Sequence, residues 1–431
     1  MIQIVREVFP QLNDQLNQLP DPRRQDMCRY GGAHIWWTIT GMYFFRTGSR
    51  NAFDEKRNSG QAPWNLGDLC GQPGDDWRFE GKPTVTCTDN AALHAGRVDP
   101  DEVRQIPLWM IRQLLKRRLF DGARLFDRWY VVLIDGSVQE KCRKGFEQDG
   151  KASSGEARYR YVLQAELVGP EDTVFPLMHE SMDMHDPVAD KEDCELNAFL
   201  RLSERLKTEY PRLPFCMVGD ALYACQPVVE RCQEYDWKYV LTLKEGRQPT
   251  TWDELIRLLP LSRSNALSTP LDPDGQGGQG GRLDYRWVED LMLGAHKTNA
   301  ILAGEITAET ATLYAYMTNF ANLSPARVVP IVRAGRGRHR IEDTFNAEKN
   351  HGIGLEHVFC AETTASKNYY AMMQVAQIIW TLVCHGYLKR VFQWARQATE
   401  QGLARAVWEG LRARRLPPDL PPIGQVRFGY S

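Results

Sequence analysis

Residues 215–243 read FCMVGDALYACQPVVERCQEYDWKYVLTL. Phe215–Gly219 is an unbroken apolar run, as expected of a strand covered on both faces. Leu222–Tyr235 reads as a helix, and Lys238–Leu243 returns as a strand. Strand, helix and strand at this spacing form one crossover unit between parallel strands. Aspartate 220 stands at the end of the first strand, where such a sheet opens to solvent.

Upstream, the pattern is that of antiparallel strands. Tyr130–Ile134, Tyr161–Val168 and Thr173–Leu177 are β-branched or aromatic runs, and the polar segment Lys141–Arg158 reads as a long hairpin connection. A helix over Lys191–Tyr210 leads through Pro211 and Pro214 into the strand at Phe215. Three adjacent strands, then helix, strand, helix and strand, is the order of an RNase H-like mixed sheet of the kind seen in retroviral integrases. The expected fold class is therefore α/β.

Outward from that core, residues 1–125 read as a helical domain with no run of strands. Ile35–Phe45 is apolar and aromatic, Gly67–Pro83 is a loop, and Pro107–Phe120 is an amphipathic helix with a basic face. The catalytic domain is expected over 126–400, interrupted at 244–335 by a β-rich insertion. That insertion has strands at Leu283–Val288, Ala300–Ile306 and Thr312–Thr318 and a Gly/Gln-rich loop at Asp272–Gly281, expected to be mobile. Asn368–Phe392 supplies another long helix. Residues 401–431 read as a basic helix and a Pro-rich tail, extended or disordered.

A composition of 43% hydrophobic and 25% charged residues is that of a globular protein. No secretory signal is visible, and the most apolar segment, Ala371–Leu388, carries Gln374, Gln377, Thr381 and His385, which argue for a buried helix against a membrane span. The ten cysteines form no CxxC pair, so reduced thiols and a cytoplasmic, nucleoid-associated location are expected. The formal net charge of −2 conceals cationic stretches at Arg112–Arg118, Arg327–Arg340 and Arg405–Arg415. Such patches can steer a polyanion even when the total charge cancels.

Three acids mark the candidate site. Asp135, in Val131–Ser137 (VVLIDGS), and Asp220 close two strands that would lie on one edge of the sheet, and Glu342 lies on a helix in Arg338–His351 (RHRIEDTFNAEKNH). Each has a plain reading alone: a strand-end turn for Asp135-Gly136, a helix N-cap for Asp220, a surface acid for Glu342. Together they suit Mg²⁺, which prefers hard oxygen ligands and keeps open positions for water or phosphate. Two ions, Mg²⁺ or Mn²⁺, would serve in-line phosphoryl transfer on nucleic acid. At about 100° per residue, Arg338, Glu342 and Lys349 fall within an arc of roughly 40° on one helix face, with Ile341, Phe345 and Leu355 toward the core. A carboxylate between two cations suits a metal ligand flanked by phosphate contacts.

At these residues the chain resembles the DDE transposases of bacterial insertion sequences, in the branch with a β insertion between the second Asp and the Glu. VVLIDGS looks like the first-Asp strand, and VGDALYAC followed by WKYVLTLK looks like the second-Asp region. RHRIEDTFNAEKNHG is similar to the helix signature Y-x2-R-x3-E-x6-K, with Gly335 where the Tyr is expected. The resemblance implies a transposase with catalytic, metal-binding Asp135, Asp220 and Glu342. It implies cleavage and strand transfer on double-stranded DNA at terminal inverted repeats and at a target, by a homodimer. Some relatives stack a flipped base on an aromatic residue of the insertion, a role open to Trp252 or Trp287, each of which reads more readily as a buried Trp holding the insertion together. Further DNA contacts are expected from Arg338, Lys349, Arg340, Arg112, Lys116 and Arg117.

Other readings remain beside this one. His179, Asp183, His185 and Asp186 could suggest a metal site but read better as a loop, and His351 and His357 suit capping or core roles. An RNase H-like nuclease without strand transfer, or a non-catalytic DNA-binding protein derived from a transposase, are the alternative functions.

Overall fold

A computed structural model describes residues 1–76, 78–142, 151–152, 158–182, 191–271, 281–417 and 420. Seven helices come first: α1 (Ile2–Val8), α2 (Leu12–Gln18), α3 (Gly32–Phe44), α4 (Arg50–Lys56), α5 (Ala62–Leu69), α6 (Thr88–Ala95) and α7 (Pro100–Lys116). The last begins well before the expected Pro107. Asp99 caps it, accepting the Asp101 N–H at 2.9 Å, and Pro100 supplies a fixed φ at the first helical position.

The strands that follow are β1 (Tyr130–Cys142), β2 (Lys151–Ala152), β3 (Arg158–Val168), β4 (Val174–Met182), β5 (Phe215–Gly219) and β6 (Lys238–Thr242), with α8 (Lys191–Glu209) before β5 and α9 (Gln226–Glu234) before β6. Then come α10 (Pro249–Leu258), β7 (Ala266–Pro270), β8 (Gly281–Leu293), β9 (His296–Thr307) and β10 (Ala311–Thr318). The chain continues as α11 (Pro325–Arg336), α12 (His339–Asn350), α13 (Thr363–Val383), α14 (Lys389–Val391), α15 (Gln393–Gln397) and α16 (Glu400–Ala413). The expected long helix over Asn368–Phe392 is thus α13, then a π-helical turn at Cys384–Leu388, then α14.

The fold is mixed α/β. β3 pairs antiparallel with β1 and β4, while β1, β5 and β6 run parallel, so the order β4-β3-β1-β5-β6 has an antiparallel and a parallel half. Every residue of β5 is buried, as the apolar run requires. The segment 244–335 does not form a β unit of its own. β10 pairs with β6 through Tyr316–Thr242 to Thr318–Val240, and β9, β8 and β7 follow in turn, so one sheet of ten strands spans the molecule.

The helices of residues 1–125 share their core with the rest. α13 is buried along nearly its whole length, packed against α3, α6, α7 and β4. One apolar cluster runs from Ile2 through the sheet to Leu411. Among the described residues no helix is long and apolar enough to cross a membrane. Residues 272–280, Asp183, His185, Asp186 and the tail 421–431 lie outside the described residues. His179 belongs to β4, buried with its ring edge-on to Tyr370.

Where α12 and α13 meet the sheet, two carboxyls are fully buried. Glu166 accepts from Gln164 at 2.7 Å and Thr344 at 3.2 Å, and Glu348 accepts from Gln377 at 3.3 Å. Burial pushes Glu348 up to about 7 and Glu166 well above its ordinary value, Glu166 also through the neighbouring Glu348 charge; Arg46 and Lys349 pull Glu348 down only in part. The neutral acid is therefore the form that fits the fold. Its contribution to stability is complete below the unfolded value of 4.5 and is lost as pH rises through about 7. A fall on the order of 3 kcal/mol is expected between pH 4.5 and 7.5 from this group. Chemical denaturation across that range would measure it, and Glu348→Gln should remove this group's share of the slope and leave that of Glu166.

Candidate active site

β1 and β5 are in parallel register, Leu133 opposite Val218, which brings Asp135 to the level at which β5 ends and Asp220 begins its turn. β1 does not stop there. It continues to Cys142 paired only with β3, through a bulge between Val138 and Glu140, so Asp135 is an interior strand residue and not the strand end its Asp-Gly pair suggests. Asp220 is not a helix cap either: its Oδ1 accepts the Leu222 N–H at 2.8 Å in a turn, and α9 begins only at Gln226. This turn holds the Asp220 carboxylate at the edge of the sheet.

Helix α12 packs on β1 and brings the third acid. Ile341 and Phe345 are buried, as is Leu355 beyond the helix, which fixes the rotation of α12 as its periodicity requires. Arg338 stands at the N-cap position. Its Nη2 donates to Glu342 Oε1 at 2.6 Å, and its Nη1 lies 3.8 Å from Asp135 Oδ2. Lys349, about two turns further along than Glu342, pairs with Glu356 at 3.3 Å.

Asp135 titrates away from its ordinary value. Burial pushes it up to about 6; the Arg338 charge opposes this, and the nearby Asp220 and Glu342 charges add to it. The three sequence-distant acids thus act on one another. Their oxygen-only donor set is the kind a hard divalent cation takes. Among the described residues, however, no three acidic, His or Cys side chains are grouped closely enough to hold one ion as they stand. The physical reason is visible: the Arg338 guanidinium lies between Asp135 and Glu342, and Glu342 is 52% exposed.

Comparison with known proteins adds little to this geometry. No family model matches the chain, and no curated protein matches it. A solved structure described as the cryo-EM structure of a piggyBac transposase synaptic complex with hairpin DNA is similar at a TM-score of 0.40, with 11% identity, over 95% of this chain and 77% of that one. At that score the likeness carries no argument.

The remaining residues expected to touch DNA fall into two groups. Arg340 is paired with Asp172 at 2.7 Å, Arg112 is ion-paired with Glu209, and Arg117 donates to the Glu7 carbonyl at 2.8 Å, so these three have protein partners. Lys116 is exposed. Trp252 packs partly buried against the core. Trp287 is 3% exposed within β8, and its burial corrects the expectation of a ring open to a base. Its alternative reading, a Trp that holds the 244–335 segment together, is the one the packing supports.

Three side chains near the site had no sequence signal of their own; each occupies a space left by a glycine. A Cβ on Gly136 would collide with the buried Glu195 carboxylate of α8, and one on Gly219 would lie 2.8 Å from the Tyr223 ring. A Cβ on Gly335 would lie 2.5 Å from the Tyr316 ring of β10, which fills the space beside that glycine. Tyr223 is fully buried, and its hydroxyl has no hydrogen-bond partner. Because a ring is rigid, Gly219→Ala should cost about 1–3 kcal/mol by overpacking, readable as a lower urea midpoint at unchanged m-value.

Proposed function

We propose that the chain is a DDE-type DNA transposase of the insertion-sequence kind, which cuts DNA at the ends of an element and joins the freed 3′ ends to a target. The observation that carries this reading is that Arg338 lies within ion-pair reach of both Asp135 and Glu342, while Asp220 is in register beside Asp135. Arg338 thus links a carboxylate of β1 to one of α12, and the turn after β5 sets Asp220 level with Asp135. The order β4-β3-β1-β5-β6, antiparallel then parallel, supports an RNase H-like core.

Asp135, Asp220 and Glu342 are the residues that would hold Mg²⁺ or Mn²⁺, and two such ions would activate the attacking oxygen and stabilise the leaving one. The protein's own contribution is orientation. β1 fixes Asp135 on a rigid ladder, the turn after β5 fixes Asp220, and α12 carries the third acid. Arg338 and Lys349 lie on the same side of α12 as Glu342, where their cations can bind the phosphates flanking the bond to be cut and set the scissile group in line. Lys116, exposed on α7, is a further cation open to double-stranded DNA, and two copies would be needed to hold two element ends.

The test is to incubate the full chain with Mg²⁺ and either supercoiled DNA carrying the element's terminal repeats or duplexes with precut 3′ ends. Cleavage at the repeats with joining of the precut ends is the expected result. Cleavage without joining would instead assign a nuclease, and binding without cleavage a non-catalytic DNA-binding protein.

A further inference from the structure

Arg338 occupies an unusual position for a side chain meant to touch DNA. One nitrogen of its guanidinium is 2.6 Å from Glu342 and another is 3.8 Å from Asp135, and the side chain is only 22% exposed. Its cationic neighbours are turned elsewhere: Arg336 pairs with Glu305 at 2.6 Å, Arg340 with Asp172 at 2.7 Å and Lys349 with Glu356 at 3.3 Å. Of these four, Arg338 alone faces the acids. Asp135 and Glu342 carry like charges, and the guanidinium they share offsets their repulsion.

A divalent cation would need the same oxygen atoms. The planar guanidinium holds its two acceptors apart across its fork, whereas Mg²⁺ draws oxygens to about 2.0–2.1 Å from one centre. The two cations therefore exclude each other. Arg338 stands at the N-cap of α12, and its side chain makes no cap hydrogen bond there that turning outward would break.

We propose that Arg338 is a placeholder for the metal. It neutralises Asp135 and Glu342 while no divalent cation is bound, and turns outward to a DNA phosphate when the carboxylates take one. This rests on the reading of the three acids as metal ligands. It also makes metal and DNA binding mutually reinforcing, because each removes Arg338 from a competing partner and such coupling is reciprocal. A phosphate that draws Arg338 away opens the carboxylates, and a metal that displaces Arg338 frees it for phosphate.

The experiment measures Mn²⁺ affinity of the full chain at fixed pH, from the electron paramagnetic resonance signal of free Mn²⁺, together with melting temperature in EDTA and in Mn²⁺. Arg338→Gln is expected to bind Mn²⁺ roughly fivefold more tightly than the parent protein, the order of one partly exposed ion pair. It should melt lower in EDTA and gain more on adding Mn²⁺. Arg338→Lys, which keeps the charge but not the fork, should fall between the two, and circular dichroism would establish that each variant is folded. Unchanged or weaker Mn²⁺ binding by Arg338→Gln, with binding still abolished by Asp135→Asn, would overturn the placeholder role and leave the metal site standing. No Mn²⁺ binding by the parent protein, or binding unaffected by Asp135→Asn, would overturn the metal-ligand reading and the placeholder with it.

Discussion

Asp220→Ala is expected to abolish metal-dependent nicking of supercoiled DNA, by at least roughly a thousandfold, while duplex binding in a mobility-shift assay stays within about twofold. The aspartate sits on a turn just past β5, and the Leu222 N–H is its hydrogen-bond partner there, so its removal changes little of the core. Asp135→Asn should do the same with almost no change of shape. Retention of nicking by either variant would refute the assignment of the triad. Loss of DNA binding together with cleavage would instead mean that these acids shape the DNA surface and not the chemistry.

The largest effect on stability is expected at Arg160. Its guanidinium is 2.6 Å from Glu140 and donates to the carbonyls of Cys360 at 3.1 Å and Ala361 at 2.8 Å, tying β3 and β1 to the segment that enters α13. Glu140 also accepts from Ser366 at 2.9 Å. Both side chains of the pair are buried. Arg160→Met leaves Glu140 buried beside no cation, which costs about 3–5 kcal/mol. Cutting an exposed pair such as Lys297–Asp290 should cost less than about 1 kcal/mol. Urea denaturation of the two variants side by side would check the contrast; equal losses would contradict it.

What could be read from the sequence was what local pattern encodes. Phe215–Gly219 announces a covered strand, and the spacing of Ile341 and Phe345 sets the face of α12, so the positions of Asp220 and Glu342 followed from short-range signals. What could not be read were pairings made across the chain. Nothing within Val138–Cys142 says that β3 will carry β1 past Asp135, and nothing within Ala311–Thr318 says that β10 will join β6. Arg112 reads as a free cation until Glu209 is placed beside it. Glu195, Tyr223 and Tyr316 are harder still, because the sequence marks only the glycines that make room for them.

The union of β10 with β6 has a mechanical consequence. Backbone hydrogen bonds run without a break from the outer hairpin of β8 and β9 to β5, so the far edge and the acid-bearing edge belong to one stiff plate. A load placed on the hairpin is passed to β5, and to Asp220 just beyond it, through hydrogen-bonded peptide groups.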